Sequence, residues 1–308
     1  MKVVSVINYK GGVGKTTLTA NLGAYAASRG LRVLLIDLDP QTNLTFSFVT
    51  YEQWHEYIAD SATLLNFFSA IHENKKIPDL SSLIISRNLG KTKIDLISSH
   101  LKLINVDVKL STKLIGSDSI SLAANNVETV SYLRKAIFKL QGLYDLVLMD
   151  CPPNFYVIVK NALTASDYYL VPTKLDYFST LGTDYIINQA TEYTQEFNSR
   201  VRSLGNDENR PIYLDLLGVV PMMVSVPRED TLQKAQQVFY DFLREKHYPM
   251  FQWIRNNNEM FGTESKDTQG NRVPAIVAHM KADTSKLRAR AEVQQLCNEI
   301  LSRLKLQI

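Results

Sequence analysis

The sequence predicts an α/β fold: a doubly wound, mostly parallel β-sheet flanked by helices, with a helical insertion between the second and third strands. Three observations predict it. Apolar runs of strand length recur along the chain and alternate with longer stretches at helical spacing. Runs end in carboxylates, Asp37 with Asp39 just beyond it and Asp150, at the strand end where open α/β sheets bind ligands. The first run passes directly through a glycine-rich turn into a helix.

Taken in order, Val3 to Ile7 reads as a buried parallel strand, and Leu18 to Arg29 as a helix closed by Gly30 at its C-terminal cap. The turn between them, Asn8 to Thr17, makes a phosphate-binding loop. Gly11, Gly12 and Gly14 let the backbone turn its N–H groups inward, Val13 among them, where side chains would otherwise block a phosphate. The helix start adds unpaired N–H groups and the positive end of its dipole. Lys15 supplies a point charge for β and γ phosphates, Thr16 a hydroxyl for Mg²⁺, and Thr17 reaches the α phosphate. The expected ligand is a nucleotide polyphosphate with Mg²⁺.

Arg32 to Asp39 is a central strand whose carboxylates, Asp37 and Asp39, point the same way in extended chain. Leu64, Leu65, Phe67, Phe68 and Ile71 share a helix face. Leu83 to Ser86 and Ile94 to Ser98 read as a strand pair around Gly90. Leu101 to Leu110 reads as a short helix and Lys109 to Ser121 as a loop. Asn125, with Glu128 three residues on, predicts a capped helix start. Tyr144 to Asp150 is the next buried strand, and its terminal Asp150 is placed to hold Mg²⁺ through water beside Thr16. Asp167 to Thr173 is a strand, and Asp176 starts a helix reaching about Asn198. Leu214 to Val220 is a strand leading into Pro221 and Met222. Asp230 or Thr231 caps a further helix, and Pro249 to Ile254 reads as a last strand. Glu264 to Arg272 reads as a polar turn region. Asp283 to Leu304 is a final amphipathic helix, with Leu287, Leu296, Ile300 and Leu304 inward and Lys286, Arg288, Arg290 and Arg303 outward.

The whole chain, 308 residues, suits one large α/β domain, with about 45–120 as its insertion region. A net charge of +3 confines any nucleic-acid site to a local patch. Cys151 and Cys297 give neither a disulfide framework nor metal-ligand spacing. With no apolar run of membrane-spanning length and no secretory segment, the expected location is the cytoplasm. Because the sequence opens on its first strand, no helix-turn-helix is expected ahead of it.

The loop departs from the usual G-x-x-x-x-G-K-[ST] pattern. Tyr9 stands where its first glycine belongs, and a second lysine precedes Gly11. Lys10 to Thr16 thereby resembles the deviant Walker A motif of the ParA/MinD family of dimeric P-loop ATPases. The resemblance implies that Lys10 reaches across a nucleotide sandwich dimer to the partner's phosphates. Asp37-Leu38-Asp39-Pro40-Gln41 is similar to that family's second acidic motif, which implies that Asp39 orients or activates the attacking water and that Asp37 lies near the Mg²⁺ shell. Asp150-Cys151-Pro152-Pro153 resembles its switch II, and Leu175 to Gly182 its dimer-interface segment. The resemblance further places Pro221 and Met222 near the adenine, and Arg228 in a DNA-contacting loop. Lys286, Arg288 and Arg290 join Arg228 on their spacing alone.

Most of the chain resembles ParA/Soj-type partition ATPases. The implied function is ATP-dependent homodimerisation, nonspecific DNA binding by the dimer over the nucleoid, and slow hydrolysis stimulated by a centromere- or cargo-binding partner. Two other readings stay open. A membrane-associated positioning ATPase of the MinD type would need a membrane-targeting tail, and the last helix reads as core. A P-loop ligase similar to dethiobiotin synthetase would need a small-molecule pocket. An iron–sulfur protein is set aside, because Cys151 is followed by proline and Cys297 lies in the last helix.

Overall fold

The computed structural model describes residues 1–90, 92–205, 210–226, 231–257, 274 and 284–306, except for the side chains of 284–288. Its strands are β1 (Lys2–Val6), β2 (Val33–Asp37), β3 (Ile84–Leu89), β4 (Thr92–Ile97), β5 (Leu146–Asp150), β6 (Tyr168–Thr173) and β7 (Asp215–Pro221). They form a seven-stranded sheet in the order β3-β4-β2-β5-β1-β6-β7. Every neighbouring pair is parallel except the β3–β4 hairpin, which turns through Gly90 at φ +64°.

Parallel strands covered on both faces read as unbroken apolar runs. β2 and β5 are buried at every position. Val4, Leu35 and Leu148 face one apolar cluster, and Val3, Leu34 and Val147 the other, as strand alternation requires. The first cluster is covered by α1 (Lys15–Ser28) and α10 (Thr284–Arg303), which pack together. The second is covered by α4 (Leu64–His72), α5 (Leu103–Ser111), α6 (Ser119–Phe138), α7 (Val157–Ala165), α8 (Tyr177–Leu204) and α9 (Lys234–Glu245). The insertion between β2 and β3 carries α2 (Asn43–Phe46), α3 (Tyr51–Tyr57) and α4. Val6 and Asp37 both lie in register with Asp150, so β1, β2 and β5 end level with one another. That edge, where the chain switches direction across the sheet, is where α/β ligands bind.

The structure corrects several sequence expectations. α6 starts seven residues early, with its N-cap at Asp118 and not Asn125. Asp118 caps it by accepting from Ile120 N and Ser121 N, and Asn125 lies inside the helix with its amide on Ile115 O. The Asn–Glu pair mimicked a capping box, but the box that forms is upstream, between Asp118 and Ser121. α9 begins after Gln233, without a side-chain cap, so Thr231 does not cap it, and Asp230 lies outside the described residues. Pro249 to Ile254 bonds to β7 through Pro249 O, Phe251 N and Ile254 N, yet forms only isolated bridges. Pro249 has no N–H to continue a ladder. Arg303 is not a free outward cation: its guanidinium lies 3.8 Å from the centre of the Phe251 ring and donates to Leu217 O and Met250 O. The polar stretch Glu264 to Arg272 lies outside the described residues.

Candidate active site

The loop after β1 is built as its residues dictate. Asn8 is fully buried; its amide donates to Pro172 O (2.8 Å) and its Oδ1 accepts from Lys10 N (2.9 Å), which pins the loop's start to β6. Gly12 and Gly14 have φ of +68° and +95°, the left-handed region where L side chains are strained. Gly14 occupies the N-cap position of α1 and offers no side chain to the first-turn N–H groups. These donors, with those of Gly11, Val13, Lys15, Thr16 and Thr17, form an anion-binding start to the helix.

Lys15 is buried, and its Nζ donates to Asn8 O and Lys10 O, both at 3.2 Å. Burial pushes its ammonium below the ordinary range, against the pull of Asp150 and Asp39. Thr16 Oγ1 donates to Asp150 Oδ2 at 2.6 Å. Asp150 is fully buried, and its Oδ1 has no hydrogen-bond partner. Burial raises its carboxyl to about 7. An orphaned buried carboxylate oxygen beside a hydroxyl is a set of hard oxygen donors, and it fits Mg²⁺.

Asp37 and Asp39 do not share a strand as expected, because β2 ends at Asp37. Asp37 is fully buried and accepts from Asp39 N on Oδ1 and from Thr45 N and Oγ1 on Oδ2. Burial, with Asp150 beside it, raises Asp37 well above the usual carboxylate range, while Thr45 pulls it down. Its oxygens are taken by the protein, which puts it next to the Asp150 site and not at its centre. Asp39, nearly buried, accepts from Gln41 N and lies just past the strand end.

Lys10 points away from this cradle. Its Nζ donates to both oxygens of Asp176 at 3.0 Å and to Ser179 Oγ at 2.8 Å. Asp176 also caps α8 through Ser179 N. Burial pushes Asp176 up, but the bonds from Ser179 and Lys10 outweigh it and leave it below the usual range. Around Lys10, Tyr156, Tyr177, Phe178, Leu181 and Tyr185 are exposed, and Tyr9 packs on Tyr185 at 5.3 Å. Sequence reasoning found Asp176 as a helix cap but missed its pairing with Lys10, because 166 positions separate them. It missed Thr45 entirely, since no spacing rule ties a threonine in the insertion to Asp37.

Pro221 and Met222 stand at the C-terminal end of β7, on the same sheet edge as the loop but beyond β6. Met222 is buried in the core, and its N–H donates to Thr173 O. Of the expected DNA-contacting cations, Arg228 lies outside the described residues, as do the side chains of Lys286 and Arg288; Arg290 is half-buried on α10. No helix among the described residues is long and apolar enough to cross a membrane.

The chain is similar to known proteins in sequence and in fold. Residues 1–203 match the family model of an AAA domain, AAA_31. The chain is 33% identical to the virulence plasmid ParA family protein pGP5-D of Chlamydia psittaci over 221 residues, 71% of this chain and 68% of that one. It is 30% identical to the sporulation initiation inhibitor protein Soj of Bacillus subtilis over 201 residues, 64% of this chain and 68% of Soj. Its fold matches the ATP complex of McdA from Cyanothece with a TM-score of 0.71 at 19% identity, over 100% of this chain and 98% of McdA.

Proposed function

The chain belongs to the ParA family of partition ATPases, and from that premise we propose that it is an ATP-dependent dimerisation switch for plasmid or chromosome partition. The position of Lys10 carries this reading. A lysine that served its own nucleotide would lie in the cradle with Lys15; Lys10 instead stands at the rim, half-exposed, among exposed aromatic side chains. Exposed apolar patches of this kind mark association surfaces. In a two-fold dimer each Lys10 would leave Asp176 and meet the phosphates held by the partner.

Within one protomer, loop N–H groups and Lys15 bind the β and γ phosphates, and the segment at Pro221 and Met222 borders the adenine. Thr16 and Asp150 would hold Mg²⁺, with Asp37 close by. The ion, when bound, neutralises charge developing on the phosphates. Asp39 orients the attacking water. Little covalent help is needed, so position sets the rate. Loss of the γ phosphate removes what Lys10 grips, and the dimer separates.

The dimer would bind nucleoid DNA in the cytoplasm, without sequence preference, through Arg228, Lys286, Arg288 and Arg290, with hydrolysis stimulated by a centromere- or cargo-binding partner. Size-exclusion chromatography with light scattering tests this. ATP with Mg²⁺ should give a dimer, ADP a monomer, and only the dimer should co-elute with an unrelated DNA duplex at low salt, with binding lost as salt rises. A monomer in ATP sinks the switch; a dimer that ignores DNA sinks the DNA role.

A further inference from the structure

A buried polar chain runs from the insertion to the carboxylates of the nucleotide edge. Trp54 on α3 donates its Nε1–H to Ser98 Oγ (2.9 Å), at the end of β4. The adjoining Ser99 N–H donates to Thr45 Oγ1 (3.2 Å), and Thr45 Oγ1 donates to Asp37 Oδ2 (2.7 Å). Asp37 then accepts from Asp39 N (3.2 Å). Thr45, Ser98, Ser99 and Asp37 are all fully buried. A backbone N–H can only donate, so the Thr45 hydroxyl accepts from Ser99 and keeps its one proton to donate to Asp37.

Thr45 therefore places two donors, its hydroxyl and its N–H, on one oxygen of a buried carboxylate. Without the hydroxyl nothing else described holds that oxygen except the N–H. Asp37 lies in register with Asp150 on the adjacent strand, so turning its carboxyl would bring one buried acid against another. It would also release the hydrogen bond from Asp39 N, which ties the turn that aims Asp39 to the last residue of β2.

We propose that Thr45 is a positioning residue for ATP hydrolysis: by clamping Asp37, it fixes the turn that aims Asp39 and keeps Asp37 off the Asp150 site. This rests on the reading of Asp39 as the water-orienting group. Through Ser99, Ser98 and Trp54 the clamp is braced by the insertion, so α2 and α3 act on the rate from outside the site.

The test is steady-state ATPase with Mg²⁺, with active sites counted by stoichiometric binding of a fluorescent ATP analogue. Thr45→Val, close in shape, should lower kcat per counted site by about tenfold or more, the loss expected for a hydrogen bond to a charged group, and leave KM within about twofold. Thr45→Ser keeps the hydroxyl and should retain most of the wild-type kcat. A merely structural role would lower the number of active sites and not kcat per site. Asp39→Ala runs beside them and should bind the analogue yet hydrolyse ATP far more slowly. If Asp39→Ala hydrolyses normally, the reading of Asp39 falls. If Asp39→Ala is slow and Thr45→Val keeps full kcat, or if Thr45→Ser is as slow as Thr45→Val, the Thr45 proposal falls alone. Should Thr45→Val not fold, Trp54→Phe replaces it; losing the outer donor should lower kcat about twofold to threefold at unchanged KM, and an unchanged kcat overturns the proposal.

Discussion

Asp150 at the nucleotide edge and Asp107 on α5 are both buried acids, and burial pushes both upward, Asp150 to about 7 and Asp107 to about 6. They are completed differently. Asp107 is finished by the protein: its Oδ1 accepts from Ile158 N (3.0 Å) at the start of α7, where Tyr156 in the N-cap position offers no side-chain acceptor. Asp150 is left unfinished, with Thr16 on one oxygen and no partner on the other. The same contrast separates the loop's two lysines. Lys10 has its counter-ion in Asp176, while buried Lys15 bonds only backbone carbonyls. A fold completes the charges it keeps for itself. Buried charges completed only in part mark where a ligand of opposite charge belongs.

The largest test of that contrast is Lys15→Ala. It removes the one buried cation of the loop, and affinity for a fluorescent ATP analogue should fall at least about a hundredfold, since several hydrogen bonds to charged phosphate oxygens are lost. Equal affinity would mean that Lys15 is as self-sufficient as Lys10. Lys10→Ala should do the reverse. Its ion pair is half-exposed and weakly stabilising, so folding and analogue binding should stay within about threefold of wild type. The ATP-induced dimer should disappear in light scattering; a persistent dimer would return Lys10 to a purely local role.

Much of the nucleotide edge was legible in sequence because it is local. Lys10, Gly11, Gly12, Gly14, Lys15 and Thr16 lie within one turn, and the strands carrying Asp37 and Asp150 announce themselves as unbroken apolar runs. What escaped was contact between distant segments. Asp176 on Lys10, Thr45 on Asp37 and Asp107 beneath α7 each join residues that no periodicity relates. The start of α6 was misread for the opposite reason: two local signals competed, and Asn125 with Glu128 matched the pattern while Asp118 held the cap. The Pro249 to Ile254 stretch has strand composition, but a proline at its head and a single edge to pair with left it irregular.

The smallest test addresses the completed acid. Asp107 has a folded-state pKa raised from 3.8 to about 6, first by burial, with the backbone N–H groups of Ile158 and Val157 and the charge of Lys160 pulling back. Between those values the folded chain holds a proton that the unfolded chain has released. Stability from this group is therefore full below about pH 4 and is lost as pH rises through about 6, then stays level. Asn at this position cannot ionise, yet its Oδ1 still accepts from Ile158 N. Asp107→Asn carries a fixed cost, because its amide N–H groups enter a buried site without assigned acceptors. That cost does not change with pH, so the slope decides. Urea unfolding at pH 4, 5, 6, 7 and 8 should show the variant gaining on the wild type by on the order of 1–3 kcal/mol across the window and by nothing further above it. Parallel curves would mean that Asp107 titrates alike in both states, and that burial of this acid does not distinguish it from a surface carboxylate.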